Sequence, residues 1–451
     1  MLGLEMPERG DILKGDLLIN GEWLVANIET GGISWPVKVE KLEYRGVVFW
    51  VLPVTRETFP AIALRLEGLS REDGQRLLMR LLSAISWVKR GGIMIDGITG
   101  GNLPRPMGRD KSRGFIIAAE LEVPYLPEPD DERALLALAL LREARGLNHP
   151  AYSFLSYYRV IEVAVPPKSR KAWIAAHLGK IGDSWGKQAV ERLRATGISD
   201  IGDHIYKSRR QAIAHATSQP IIDPDDYSVS RQLAAELPIM LGLAELAIEY
   251  ELGVQSGRTV WKEHLYELAG FRSILGKEVI EAIVNDLPPR EGITVDVPRV
   301  DVELKGREPY APLIGMRPVE IGQAEGSCVI AFQSADGLVQ IAFELDFREE
   351  RLRFDWQGIA VADDKSPKAA GNAAEMNRFL NDYLGNGRLY IYDAETRILI
   401  SRVDGFLPNF RPNPDAFNAQ IDHWMEEAQK RGASGGHAAS GERQAAPDPE
   451  H

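Results

Sequence analysis

Cysteine is almost missing from this chain, with one residue, Cys328, among 451. A lone thiol closes no internal disulfide and supplies no cysteine cage for zinc or an iron–sulfur cluster, so those frameworks are excluded. A reducing cytosol suits such a composition. Histidine is scarce as well: the eight residues are scattered, and His423, His437 and His451 sit at or beyond the last expected helix. No HExxH or other paired spacing occurs, which disfavours metal catalysis. Long apolar runs are absent too. No stretch gives about 18 uncharged apolar residues, and the opening MLGLEMPERGD places acids where a signal peptide needs a basic end and an apolar run. The expectation is a cytoplasmic protein, neither exported by that route nor spanning a membrane. No GxSxG elbow follows a strand, and Cys328 falls in a predicted strand where a small buried hydrophobe is its expected role. The acid pairs Asp225–Asp226 and Glu349–Glu350 are sequence neighbours, as at helix starts and turns, and make no glycosidase pair. The glycine-rich segment from Gly91 to Asn102 has neither a GK[ST] ending nor a GxGxxG spacing and reads as a turn-rich connection. No cofactor is expected.

What is present describes a folded chain, 44% hydrophobic and 26% charged. At about 150 residues per domain the length predicts roughly three domains, each able to bury a core. The pattern predicts an α+β multidomain protein. Residues 1–126 read as a strand-rich α+β domain, with hairpins at Asn20-Gly21 and Arg45-Gly46 and one helix from Leu77 to Val88, introduced by Ser70 and Asp73 in capping-box spacing. Residues 127–255 read as a helical bundle. Its first helix, Arg133 to Leu147, is apolar almost all round and must be buried. Ala151 to Val165 follows, ended by Pro166-Pro167, then short helices at Lys171–Ile181, Lys187–Ala195 and Gly202–Ala216. A long helix starts at Asp223-Pro224 and runs toward Leu252, with a kink expected at Pro238. A helical connector (256–290) leads to a second α+β domain (291–411) with a hairpin at Asp336-Gly337 and a helix near Ala373 to Leu384. A terminal helix (412–432) and a small, polar tail (433–451), expected to be disordered, complete the chain. No internal repeat is found.

The net charge of −12 argues against a nucleic-acid coat that is basic everywhere. Its distribution is uneven. Between Pro166 and His215 stand ten Lys or Arg against four acids, a window of +6 in a chain otherwise at −18. That window is either a solvated helical face or a local anion site. It closes on Lys207-Ser208-Arg209-Arg210-Gln211-Ala212-Ile213-Ala214-His215, in the penultimate bundle helix. An arginine, a polar residue, a short spacer and a histidine near a helix end resemble the Rx4-6H motif of the HEPN superfamily. The letters also match at Arg142–His149, Arg170–His177 and Arg258–His264, but only Arg210 is followed directly by an amide, lies in the penultimate helix and closes the basic window. The two opening helices, ALALLREARGLNHPAYSFLSYYRVIEVAV, together with the RRQAIAHA helix, are similar to bacterial MauJ-type and ApeA-like HEPN proteins. The likeness covers the middle third best and extends toward SAISWVKRGGI, while residues beyond about 290 resemble no named family.

The resemblance implies a central all-α HEPN-like bundle that binds RNA and, in catalytic relatives, cleaves it without a metal, leaving a cyclic phosphate. RNA carries its own nucleophile, so the reaction needs a base near neutral pKa and a cation for the developing negative charge, properties that His215 and Arg210 have. Five residues apart on an ideal helix, the two are turned about 140° from one another. Catalytic relatives resolve this with a homodimer whose motifs meet across a two-fold axis. Glu162 is the expected partner orienting the arginine or histidine, with Gln211 and Arg209 in support and Lys168, Arg170, Lys171 and Lys207 facing RNA. Tyr157, Tyr158, Trp173 and Trp185 are either base-stacking groups or core. The alternative keeps the bundle without the chemistry: Arg210 and Glu162 bridge packed helices, His215 finishes its helix, and the protein is a noncatalytic binding or scaffold component of a methylamine-utilisation-like operon.

Overall fold

The computed structural model describes residues 5–108, 114–123, 125–215, 217, 219–223, 226–288, 295–385, 387–404 and 413–440. The expected helix start at Pro224, the junctions at 290/291 and 411/412 and the tail beyond 440 lie outside them. The chain forms two compact units, residues 1–262 and 263–451. Its architecture is α+β, with several sheets and a helical middle.

The first unit begins with α1 (Arg9–Ile12), a 3-10 turn (Gly15–Leu18), β1 (Trp23–Gly31), β2 (Trp35–Pro36), β3 (Glu40–Tyr44), β4 (Val47–Leu52), β5 (Ala61–Arg65), α2 (Arg71–Lys89), β6 (Gly92–Gly101) and β7 (Ile117–Ala118). Five strands make an antiparallel sheet in the order β3-β4-β5-β1-β6. The hairpin at Arg45-Gly46 is formed, both residues taking left-handed φ values of 53° and 70°, which match the turn to the twist of its strands. The hairpin expected at Asn20-Gly21 is not. The residues before it coil into the 3-10 turn, the Trp23 indole N–H donates back to the Ile19 carbonyl at 3.2 Å, and β1 pairs with β5 and β6. Ser70 caps α2, accepting the Asp73 amide at 3.1 Å and donating to its carboxylate at 2.6 Å. The glycine-rich segment also departs from expectation, because it is the edge strand β6. Ile93, Ile95 and Ile98 reach one core despite breaking alternation, since the pairing slips by a residue at Asn27/Ile28. Its glycines admit close neighbours: a Cβ on Gly92 would strike the Arg145 carbonyl, and one on Gly100 would meet the Arg71 guanidinium.

The helical half of this unit consists of α3 (Glu132–Gly146), α4 (Pro150–Ala164), α5 (Arg170–His177), α6 (Ser184–Ala195) and α7 (Ile201–Asp203). A π-helix (His204–Gln211) runs from α7 into α8 (Ala212–Ala214), followed by α9 (Tyr227–Leu252) and α10 (Gly257–Lys262). The largely apolar surface of α3 is accounted for by burial of Ala134, Leu138, Leu141 and Ala144 in one core with Phe154, Val160 and Ile161 of α4 and Met240, Leu243 and Ala247 of α9. The long helix starts later than expected. Asp226 is its N-cap, accepting the Ser228 amide at 2.7 Å, and Pro238 lies inside it.

The second unit carries α11 (Leu265–Leu275), α12 (Lys277–Val284), β8 (Val300–Leu304), β9 (Arg317–Ala324), β10 (Ser327–Gln333), β11 (Val339–Asp346), β12 (Arg351–Phe354), β13 (Ala360–Val361), α13 (Pro367–Leu384), β14 (Arg388–Asp393), β15 (Leu399–Asp404) and α14 (Pro414–Ser440). Its sheets run β12-β11-β10-β9, with β13 on β11, and β15-β14-β8. The Asp336-Gly337 hairpin joins β10 to β11, and α14 continues eight residues past 432. Cys328 on β10 is buried, which pushes its thiol up to about 11. Among the described residues no helix is long and apolar enough to cross a membrane, and no group of three or more metal-ligating side chains is gathered.

Candidate functional site

The site is built where the π-helix meets α4. Pro166-Pro167 ends α4, and the chain returns so that Arg170 Nη2 donates to the Glu162 carbonyl and Nε to the Val165 carbonyl, both at 3.0 Å, closing the carbonyl end of that helix. The same guanidinium lies 3.6 Å from the Glu162 carboxylate, which also accepts Arg210 Nη2 at 3.1 Å. Glu162 and Arg210 are each about a quarter exposed, so their attraction is stronger than that of a surface pair. Two guanidiniums share one carboxylate, leaving a positive charge over. Arg210 also lies 5.9 Å from the centroid of the Tyr158 ring, and its Nε is buried without a partner among the described residues. Burial and the Glu162 charge both raise the Tyr158 hydroxyl.

The neighbouring arginine faces the other way. Arg209 is buried and donates through Nε at 3.1 Å and Nη2 at 2.7 Å to Glu236 of α9, while His204 Nε2 stands 3.1 Å from the same carboxylate. The π winding explains the convergence: its i→i+5 hydrogen bonds stack residues five apart, as 204 and 209 are, on one side of the helix. Burial opposes ionisation of Glu236, but the histidine and the guanidinium outweigh it and hold the carboxyl below its usual range. Adjacent arginines thus fix one segment to two helices, Arg209 to α9 and Arg210 to α4.

The remaining candidates are distributed unevenly. Lys171 pairs with Asp200 at 2.9 Å and Asp203 at 3.1 Å, and Lys207 pairs with Asp203 at 3.2 Å. The Lys171 hydrogen bonds are the main reason the Asp200 and Asp203 carboxyls are lowered. Lys168 is exposed, with no ion pair among the described residues. Gln211 is half-buried at the end of the π-helix, and its carbonyl accepts the His215 amide at 3.0 Å. His215 follows the last helical residue, and its exposed ring has no hydrogen-bond partner among the described residues. The structure therefore joins Arg210, Glu162 and Arg170, and the exposed His215 ring takes no part in their contacts. Tyr157 and Tyr158 belong to the core, Trp173 stacks on His177 at 4.1 Å, and Trp185 is exposed. The sequence reading missed His204 and Glu236. An acid surrounded by Leu233, Leu237, Ile239 and Met240 was the available signal, since a buried carboxylate demands a cation.

Residues 137–249 match the family described as methylamine utilization protein MauJ. The match runs from α3 into α9, so the MauJ segment contains the π-helix and both arginine anchors. Searches of curated proteins and of solved structures each find no match.

Proposed function

We propose that the MauJ segment is an HEPN-like RNA-binding module centred on Arg210, and that two copies cleave RNA without a metal. The observation carrying this reading is the surplus charge beside Glu162, with a buried Arg210 Nε still to be satisfied. An RNA phosphate answers both needs. In the reaction, His215 removes the 2′-hydroxyl proton, O2′ attacks phosphorus, the bond from phosphorus to O5′ breaks, and O5′ takes up a proton. The products are a 2′,3′-cyclic phosphate and a 5′-hydroxyl. Arg210 faces the charge that builds on the phosphoryl oxygens, and the exposed His215 is accessible to a bound strand or to a second copy. The test is cleavage of mixed cellular RNA by purified protein in EDTA, beside His215→Ala and Arg210→Ala at matched folded fractions. Loss in both variants is the expected result, and a wild type inert toward a broad RNA pool overturns the catalytic part.

A second reading has its own support. Arg210 ties the π-helix to α4, and Asp200 and Asp203 already neutralise Lys171 and Lys207. In a noncatalytic binding or scaffold protein of a methylamine-utilisation operon these contacts are structural, and Arg210→Ala lowers the melting temperature without changing any RNA product.

A further inference from the structure

A second basic site lies at the far end of α9. Glu249 is thirteen residues along that helix from Glu236, about 20 Å at 1.5 Å per residue. Here α2, α9, α10 and the loop between α5 and α6 enclose a cavity of ≈ 210 Å³. Four cations line it, Arg90, Lys180, Arg258 and Lys262, against two acids, Glu245 and Glu249. Both acids are committed. Glu245 is gripped by Arg90 at 3.0 and 3.2 Å and again by the buried Arg145 at 2.7 Å. Glu249 accepts the Ser256 amide at 3.1 Å, its hydroxyl at 2.9 Å and the Thr259 hydroxyl. Lys180, Arg258 and Lys262 consequently face the cavity with no carboxylate partner among the described residues.

Two of the three, Lys180 and Arg258, are held in place or confined. Lys180 Nζ lies 3.3 Å from His177 Nε2 and 5.3 Å from the centroid of the Tyr250 ring. The Arg258 guanidinium lies against Gly182 so closely that any Cβ there would collide with it. Glu249 is bonded only to neutral groups and offsets one of these three charges, so two remain in excess at one concavity, an arrangement that a bound anion relieves. The Tyr250 ring, 61% exposed, offers a flat apolar face at the same cavity. The volume is below the 300 Å³ or so of a drug-sized pocket, enough for a phosphate group with the remainder of its molecule lying over the tyrosine.

We propose that this cavity binds the phosphate of a nucleoside monophosphate, Arg258, Lys180 and Lys262 contacting the phosphate and Tyr250 stacking on the base. The site is separate from Arg210 and does not rest on RNA cleavage. The phosphate belongs either to a free nucleotide or to the 5′ end of an oligonucleotide. Titration calorimetry on the full chain with AMP, adenosine and a tetraribonucleotide with and without a 5′-phosphate distinguishes them. AMP is expected to bind at least tenfold more tightly than adenosine. Arg258→Gln and Lys262→Gln, both exposed changes, each raise the AMP Kd about tenfold or more with an unchanged melting temperature, and Gly182→Ala, which displaces the guanidinium, does the same. A higher affinity for AMP than for the phosphorylated tetranucleotide supports a free nucleotide; the reverse supports an RNA end. No binding of AMP or of the phosphorylated tetranucleotide, equal affinity for AMP and adenosine, or an unchanged Kd in Arg258→Gln overturns the proposal.

Discussion

The most consequential single side chain in the helical region is Glu236, because two groups, His204 and Arg209, depend on its charge. Removing one member of a buried ion pair leaves the other unpaired in a poor solvent for charge, at a cost of about 3–5 kcal/mol. Glu236→Ala is therefore expected to lower stability by about that amount in chemical denaturation, and Glu236→Gln by less, since its amide oxygen still accepts from Arg209. The pH dependence has a definite sign. The folded carboxyl sits below the usual range, so the unfolded chain, near the ordinary value of about 4.3, takes up a proton first. The contribution is complete above that value and disappears as pH falls through the depressed folded one. The stability gap between wild type and Glu236→Gln should accordingly narrow from pH 5 toward about pH 3; a gap that stays constant contradicts the assignment.

At the scale of an element, the π-helix is what lets neighbouring arginines serve different helices. Deleting Ser208 shortens the run by one residue, so Arg209 and Arg210 lose register with Glu236 and Glu162 together. The expected result is a fall in melting temperature at least as large as that of Glu236→Ala, whereas Ser208→Ala leaves it nearly unchanged. The winding was not legible in the sequence. Apolar spacing locates a helix over Gly202 to Ala216 but does not separate i+4 from i+5 bonding, so a 140° turn between Arg210 and His215 was inferred from ideal geometry. Other elements were plain. Arg45-Gly46 carried its turn chemistry, and Ser70 with Asp73 marked the start of α2. The strand β6 was hidden by its four glycines, of which Gly92 and Gly100 admit a neighbouring carbonyl and guanidinium rather than bend the chain. Asp223 lost the capping role to Asp226, three residues on and just as suited to it. The Arg210–Glu162 contact was anticipated as a geometric pairing between helices, while His204 and Glu236 were overlooked because neither belonged to a motif.

Across the whole molecule, apolar clustering follows the division at 262/263. The cores containing Leu24, Trp23 and Phe154 lie in the first unit, and the one running from Leu268 to Val403 lies in the second. Each unit thus has the means to fold as its own cooperative block. The chain's single cysteine belongs to the second block alone. With its thiol buried on β10 and pushed up to about 11, Cys328 is almost entirely unreactive while that block is closed. Alkylation by iodoacetamide at pH 8 is expected to proceed only through opening of residues 263–451, far slower than for a free thiol and at a rate unaffected by Glu236→Ala. A buried sulfur that looks chemically idle thereby becomes a clock for half of the protein: mass spectrometry of the labelled chain reads out how often one block breathes, without any signal from the other.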